Sequence, residues 1–306
     1  MAEGRRLKAE WLAIAALAIM SACGRDKPAA ASSHAADSAI AAPEPDTVVG
    51  IIFMASIRPD AGGLSAIALV TARRTLVDVP EGQIGVGGYD TYAYRWIGKG
   101  QRYRLFLSGE EIGTITATPD SLEENGCAGL GGPATVDSGA TFAGTATGIA
   151  TNAPFARSHR VERRETTADE TQLLERLAVD VLPATIPSGL REVTLLRGQA
   201  IRLSDQPQPA LMARFSAQAD STREILGFLV AEWIGHAYVT TFQAVEVGTA
   251  SEAPIGSELL DVLDYDGDGI LDLITVNIGS DGQYYGILKR NGDRWAVVYT
   301  GGGAGC

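Results

Sequence analysis

Short apolar segments separated by turn residues dominate the chain beyond residue 47. The first of them, 48–57, is rich in β-branched residues, which strands favour. Later segments alternate apolar with polar positions, and glycine-containing turns divide several of them at hairpin spacing. The pattern predicts a mainly β fold, arranged as an antiparallel meander, a sandwich or partial blade-like sheets. The predicted strands cover 48–57, 66–76, 92–96, 103–107, 112–117, 192–203, 210–217, 224–233, 237–247, 259–263, 271–278, 284–289 and 295–300.

One α-helix is predicted, over about 167–182. Thr167 and Glu170 have the spacing of a capping box, in which each side chain accepts a hydrogen bond from the other residue's backbone N–H. Pro183 cannot continue a helix and marks its end. Apolar residues recur between these signals at helical spacing, namely Leu173, Leu174, Leu177, Ala178 and Val181.

The folded part divides into an N-terminal β region, 48–160, and a second region, 161–306, that contains the helix and further strands. Residues 119–153 are rich in Gly, Ala, Thr and Ser and are predicted to be irregular or loosely stranded. Similar sequences at 227–239, 286–297 and, more faintly, 94–105 leave two interpretations open. They are repeats of a blade-like unit, or unrelated hairpins that share alternation and turn chemistry.

The N-terminus has the features of a targeting segment. Arg5, Arg6 and Lys8 precede an uncharged apolar run over 11–20. This run has the length of a signal-peptide core and is shorter than the ~20 residues that span a bilayer as a helix. The sequence therefore predicts a signal peptide over 1–22 and no transmembrane helix in the mature protein.

Ser21, Ala22 and Cys23 directly follow this run and resemble the lipobox of bacterial lipoproteins. The resemblance implies that Cys23 is diacylated and becomes the first residue of the mature chain. The membrane is then a partner through the lipid anchor. The protein would lie in the cell envelope outside the cytoplasm, at the outer membrane or the cell surface. The alternative is an ordinary secretory signal with an incidental cysteine.

Residues 23–47 consist mainly of Ala, Ser, Pro and Asp, with few large side chains. Such a segment buries too little apolar surface to offset its chain entropy, so we predict a disordered tether. The chain has 306 residues, of which 45% are hydrophobic, and a formal net charge of −12. This acidity excludes general binding to nucleic acids, which depends on Lys and Arg at phosphates.

An acidic loop near the C-terminus predicts a metal site. Aspartates occupy loop positions 1, 3, 5 and 9, namely Asp264, Asp266, Asp268 and Asp272. Gly269 at position 6 permits a sharp turn, and the carbonyl of Ile270 at position 7 adds a backbone ligand. Neighbouring carboxylates repel one another without a cation, and hard oxygen ligands suit Ca²⁺. We therefore predict that this loop binds Ca²⁺.

The residues around the loop indicate its type. Thr275 occupies position 12, where an EF-hand has Glu, and both flanking segments are predicted strands rather than helices. The loop therefore resembles the calcium loop of FG-GAP or VCBS-type repeats, which joins two strands and whose metal positions the four aspartates match. The resemblance covers about 258–300, in a single copy. It implies a structural rather than a catalytic Ca²⁺.

Cys127 and Cys306 remain as a pair once Cys23 is assigned to the lipid. In an oxidising compartment such a pair predicts a disulfide, which would fix the glycine-rich C-terminal tail. Free or intermolecular thiols are the alternative.

Catalytic motifs are not found in the sequence. It contains no nucleophile elbow, zinc-protease motif or phosphate loop. His159 lies in an Arg-rich connector and is interpreted as solvated. His236 lies at a predicted hairpin turn, and neither histidine is assigned an acid–base or ligand role. An aromatic cluster is either a core face or a binding face for a glycan or a protein partner, and it comprises Tyr89, Tyr92, Tyr94 and Trp96.

These observations favour a membrane-anchored extracytoplasmic lipoprotein. Its predicted role is that of a non-enzymatic binding or envelope-structural module, stabilised by Ca²⁺ and with an unidentified protein or glycan partner. The alternative from a different class is a calcium-dependent extracytoplasmic hydrolase, and an assembly factor of an envelope complex is a third option.

Overall fold

The structure is a computed structural model that describes most of the chain from residue 47 onward. The described residues are 47–58, 61–82, 88–118, 129–137, 139–140, 142, 144–183, 186, 192–220, 223–249, 252–280 and 282–305. The predicted signal peptide over 1–22 and the predicted tether up to 46 lie outside them, as do Cys23, Cys127 and Cys306. Lipidation and the disulfide therefore stay predictions.

The described elements confirm a mainly β, antiparallel fold. Along the chain they are β1 (Val48–Ile57), β2 (Gly62–Thr71), β3 (Leu76–Val77), α1 (Tyr89–Ile97), β4 (Arg102–Leu107), β5 (Glu110–Ala117), β6 (Gly131–Val136), β7 (Ala146–Thr151), β8 (Arg163–Glu165), α2 (Ala168–Val181), β9 (Val193–Ile201), β10 (Ala210–Gln218), β11 (Glu224–Ile234), β12 (Ala237–Val247), β13 (Gly256–Leu263), β14 (Asp272–Gly279), β15 (Gly282–Asn291) and β16 (Arg294–Gly305).

The described strands form three sheets. The first has the order β1-β7-β4-β5-β6-β2-β3, and a further pairing of β1 with β2 closes six of its strands into a ring, called the closed sheet below. The second has the order β12-β11-β10-β9-β8, and the third is the meander β13-β14-β15-β16. One core cluster takes residues from all six ring strands and fills the closed sheet.

The four-stranded meander is the middle layer of the protein. On β14, Leu273 joins a core shared with the five-stranded sheet, whereas Ile274 joins a core shared with the outer face of the closed sheet. Helix α2 covers the other face of the five-stranded sheet. These shared cores make the described residues from 47 onward one compact unit, and the predicted boundary between residues 160 and 161 falls between β7 and β8.

Helix α2 confirms the predicted helix. Thr167 Oγ1 accepts a hydrogen bond from the backbone N–H of Glu170 at 3.3 Å, and Glu170 Oε2 accepts one from the backbone N–H of Thr167 at 2.8 Å. Arg164 donates two further hydrogen bonds to the Glu170 carboxylate, both at 2.7 Å. Leu174 and Ala178 are buried against the five-stranded sheet.

The segment 92–96 was predicted as a strand, and that prediction is wrong, because it lies in helix α1. Ala93, Trp96 and Ile97 are buried at helical spacing and pack into the closed sheet, with Tyr89 and Tyr92 partly buried beside them. The aromatic cluster is therefore mainly a core face, and only Tyr94 is exposed, at 43%. The faint similarity of 94–105 to the hairpins at 227–239 and 286–297 has no structural counterpart, because 94–97 is helical.

Glycine-rich segments lie against each other near the predicted disulfide. Residues 119–153 contain β6 and β7, whereas 119–128 lie outside the described residues. A Cβ added at Gly129 would lie 2.1 Å from the carbonyl oxygen of Gly303. Gly129 and Gly303, which lie close to Cys127 and Cys306 in the sequence, are thus in close contact.

Candidate metal centre

The acidic loop joins β13 to β14 at one end of the middle sheet, so the predicted strand–loop–strand arrangement is confirmed. Gly267 and Gly269 adopt φ values of +73° and +86°, which L side chains rarely take. A Cβ at Gly267 would also lie 2.6 Å from the carbonyl oxygen of Phe155. Glycine at these positions lets the loop curl while it packs against the segment that follows β7.

Asp264 holds the loop in this curled form. Its fully buried carboxylate accepts hydrogen bonds from the backbone N–H groups of Gly267 at 2.7 Å, Asp268 at 3.1 Å and Gly269 at 3.1 Å. Its own carbonyl oxygen accepts a hydrogen bond from the backbone N–H of Arg157 at 2.9 Å. The first aspartate therefore fixes the backbone that presents the others.

Three of the predicted ligands converge. Carboxylate oxygens of Asp264, Asp266 and Asp268 all lie within 4.8 Å of one another. Asp272, the fourth, is fully buried at the start of β14, and its Oδ2 accepts a hydrogen bond from the backbone N–H of Tyr265 at 3.3 Å. Oδ1 of Asp272 and Oδ1 of Asp266 are buried and accept no hydrogen bond. Buried acceptors without donors are costly, so these two oxygens offer acceptor positions that a cation could use.

Lys289 contacts the same carboxylates from β15. Leu273 pairs with Leu288, which places Lys289 across from Asp272. The ammonium Nζ lies 2.5 Å from Asp266 Oδ2, 2.9 Å from Asp268 Oδ2 and 3.6 Å from Asp272 Oδ1. One positive charge thus faces three of the four aspartates.

The pKa values in the cluster follow from burial and from Lys289. Burial raises the pKa of Asp272 to about 8, although the nearby ammonium opposes the rise. Partial burial would raise the pKa of Asp268 too, but its hydrogen bonds to Lys289 and to the backbone N–H of Ile270 lower it. Burial alone would lower the pKa of Lys289, whereas its hydrogen bonds to Asp266 and Asp268 raise it above the usual value.

His159 also belongs to this cluster. Its Nε2 lies 3.1 Å from Asp264 Oδ2, and its backbone N–H donates a hydrogen bond to the carbonyl of Gly109 at 2.9 Å. The side chain is still 39% exposed, and its contact with the buried Asp264 corrects the interpretation of His159 as simply solvated. His236 lies at the turn between β11 and β12, as predicted, and is exposed there.

The donor chemistry fits a hard divalent cation. Carboxylate oxygens supply the site, and Ca²⁺ takes ~6–8 such ligands, including backbone carbonyls and water. Ile270, the predicted backbone ligand, is exposed in the loop, and its N–H donates to Asp268 Oδ1 at 2.8 Å. Asp264, Asp266, Asp268 and Asp272 would hold the ion, whose charge would offset the repulsion among them.

Two clefts along the middle sheet differ in their lining. A cleft of about 780 Å³ beside Leu271 is lined by charged and polar side chains that include His159, Arg160, Arg163 and Arg202. A second, of about 320 Å³, lies between β12 and the middle sheet. Neither of these two clefts is lined by the aromatic cluster of α1.

Comparison of the chain with protein-family models, with curated proteins and with solved structures gives no match. The resemblance to FG-GAP or VCBS-type loops therefore stays a prediction from Asp264–Asp272. Among the described residues, no helix combines the length and apolar character needed to cross a membrane.

Sequence reasoning missed two members of the cluster, Lys289 and His159. A signal for Lys289 existed, because a short hairpin between the predicted strands 271–278 and 284–289 brings it opposite Asp272. His159 reaches Asp264 from 105 positions away in the chain, and no local pattern marks that contact.

Proposed function

We propose that the protein is a lipid-anchored, extracytoplasmic binding or structural module of the cell envelope, in which one Ca²⁺ at Asp264–Asp272 stabilises the fold. The observation that carries the calcium part is the convergence of three carboxylates beside a fourth, fully buried one. The lipid anchor and the envelope location rest on the resemblance around Cys23. The partner is a protein or a glycan.

A structural role for the ion is supported by what the loop touches. Arg74, in the turn after β2, donates a hydrogen bond from NH1 to the carbonyl of Asp266 at 2.9 Å. Arg157 binds the backbone of Asp264, and Phe155 packs against Gly267. The loop thus contacts the closed sheet and the segment after β7 while it joins two strands of the middle sheet. A cation that fixes the loop would stabilise this junction.

Thermal unfolding of the purified full chain, with Ca²⁺ and with chelator, tests the calcium part. An ion at 100 times its dissociation constant that binds only the folded state stabilises it by about 2.7 kcal/mol. We expect Ca²⁺ to raise the melting temperature of the wild type and of Asp293→Asn, an exposed control in the turn after β15. The shift should be lost in Asp268→Asn. Equal shifts in all three proteins, or none in the wild type, would refute the proposal.

The anchor has its own test. Mature protein from cells should carry an acyl mass on Cys23 and partition with membranes, and Cys23→Ser should lose both properties. Crosslinking on intact cells would then recover a stoichiometric partner. A wild-type protein that is soluble and unacylated would refute the lipoprotein assignment and leave the calcium result unaffected.

A calcium-dependent hydrolase is the second candidate, and one observation favours it. His159, which touches Asp264, also lines the cleft of about 780 Å³. Calcium-dependent hydrolysis of ester, phosphoester or glycoside model substrates that disappears in His159→Ala would support this alternative. Absence of turnover on all three classes would leave the binding module.

A further inference from the structure

Lys289 is the feature of the acidic cluster that a cation site by itself does not explain. It contacts three carboxylates that would otherwise face a metal ion, at 2.5, 2.9 and 3.6 Å. The side chain is only 22% exposed and lies 5.2 Å from the centre of the Tyr265 ring. Burial, three carboxylates and an aromatic face all hold the ammonium in one place.

We infer that Lys289 is a tethered cation that holds the acidic loop together without metal and competes with the divalent ion for it. The inference rests on the proposed calcium site and names its regulation. The ammonium donates hydrogen bonds to Oδ2 of Asp266 and Oδ2 of Asp268, which belong to carboxylates that a metal ion in this loop would also use. Each ion that binds must therefore break these two hydrogen bonds or share their acceptors.

The ammonium neutralises only part of the site. Asp272 Oδ1, on a fully buried side chain, receives no hydrogen bond even with Lys289 at 3.6 Å, and the same holds for Asp266 Oδ1. These two oxygens can therefore still bind a second cation. Such a site binds calcium weakly, because an internal charge opposes the ion. Affinities of ~10⁻⁴–10⁻³ M, as in extracellular calcium modules, fit this arrangement.

The position of Lys289 makes the competition a built-in property of the hairpin. Asp272 opens β14, and the pairing of Leu273 with Leu288 fixes Lys289 on the neighbouring strand. The side chain needs no loop movement to reach the aspartates. A loop held in this way should stay folded when metal is removed.

The test compares Lys289→Met with Lys289→Arg, which keeps the charge, and with Lys99→Met, an exposed lysine after α1. Each purified full chain is melted in chelator and titrated with Ca²⁺. Lys289→Met should melt at a lower temperature in chelator. It should bind Ca²⁺ with a dissociation constant at least about tenfold lower, which corresponds to about 1.4 kcal/mol. The other two variants should behave like the wild type.

The outcomes separate this inference from the proposed function. If the wild type binds Ca²⁺ and Lys289→Met binds no tighter, the inference fails and the calcium site stands. If only Lys289→Met binds, the inference holds and the wild-type calcium function fails. If neither binds, both fail.

Amine labelling of the wild type covers the case in which Lys289→Met does not fold. Saturating Ca²⁺ should raise the reactivity of Lys289 relative to Lys99 in the same sample, because the ion releases the ammonium. Unchanged or reduced relative reactivity would overturn the inference.

Discussion

Replacement of the buried carboxylate of Asp261 by an amide should flatten the pH dependence of stability. Asp261 lies on β13, and its Oδ2 accepts a hydrogen bond from the backbone N–H of Ser108, in the turn between β4 and β5, at 3.0 Å. Its Oδ1 accepts one from Val262 at 2.9 Å and faces the guanidinium of Arg163 on β8 at 3.8 Å. This side chain therefore links all three sheets.

The magnitude follows from the pKa of Asp261. Burial raises it to about 7, against the opposing effects of its backbone donors and Arg163. Because the native state then holds a proton that the unfolded chain has released, stability is greatest below the unfolded pKa of ~3.9 and falls as pH rises through about 7. At about 1.4 kcal/mol per pKa unit, the contribution of Asp261 to the free energy of unfolding falls by at most about 4 kcal/mol between low and high pH.

Urea unfolding of the wild type and of Asp261→Asn at intervals from pH 4 to 8.5, in chelator, measures this effect. At every pH, the free energy of unfolding of the variant is lower by about 1–3 kcal/mol, because its amide N–H₂ cannot accept a backbone hydrogen bond. Asp272, with a pKa raised to about 8, also makes stability fall as pH rises, and it does so in both proteins. The difference between the two pH profiles therefore isolates Asp261. Asp205→Asn, at an exposed position, is the control. Parallel profiles for wild type and Asp261→Asn would refute the reasoning.

Three further predictions concern single features of the fold. Gly267→Ala should lower the free energy of unfolding by about 1–3 kcal/mol more than Gly292→Ala. Both positions have a positive φ, but only at Gly267 would an added Cβ meet backbone, so a steric clash adds to the strain there. Equal losses in urea would contradict this. Thr167→Ala should lose about 1 kcal/mol through its capping box, and an unchanged urea midpoint would refute that role. Cys127 and Cys306 should resist alkylation in the unreduced, denatured protein, with a long-loop crosslink worth roughly 4–5 kcal/mol, and labelling of both thiols would rule the bond out.

Strands were predictable where their composition and the turns that flank them agree. β1 and β12 match their predicted bounds: β1 is an apolar, β-branched run that ends before Pro59, and β12 begins after a glycine turn. The miss at α1 arose from Tyr92, Tyr94 and Trp96, whose spacing of two imitates a strand. The helical stripe of Ala93, Trp96 and Ile97 was also present, but aromatic residues are enriched in strands, and only packing into the closed sheet decides between the two.

The candidate site was predictable as far as it is local. Asp264 to Asp272 form one curled loop, and their spacing alone brings three carboxylates together. Lys289 and His159 arrive through strand register and through a distant segment, so neither is marked by the loop's own pattern. The packing of the other two sheets on both faces of the middle sheet could not be predicted for the same reason. Alternation shows which residues of a strand share a face, but not which sheets share a core.

Equilibrium dialysis of the purified full chain against radiolabelled Ca²⁺ tests the central claim most directly. We expect saturable binding of one ion per chain, lost when Asp266→Asn and Asp268→Asn are combined and retained in Asp293→Asn. Absence of saturable binding in the wild type at concentrations about tenfold above the ~10⁻³ M typical of weak extracellular modules would contradict it. Equal binding by the double variant would contradict it as well.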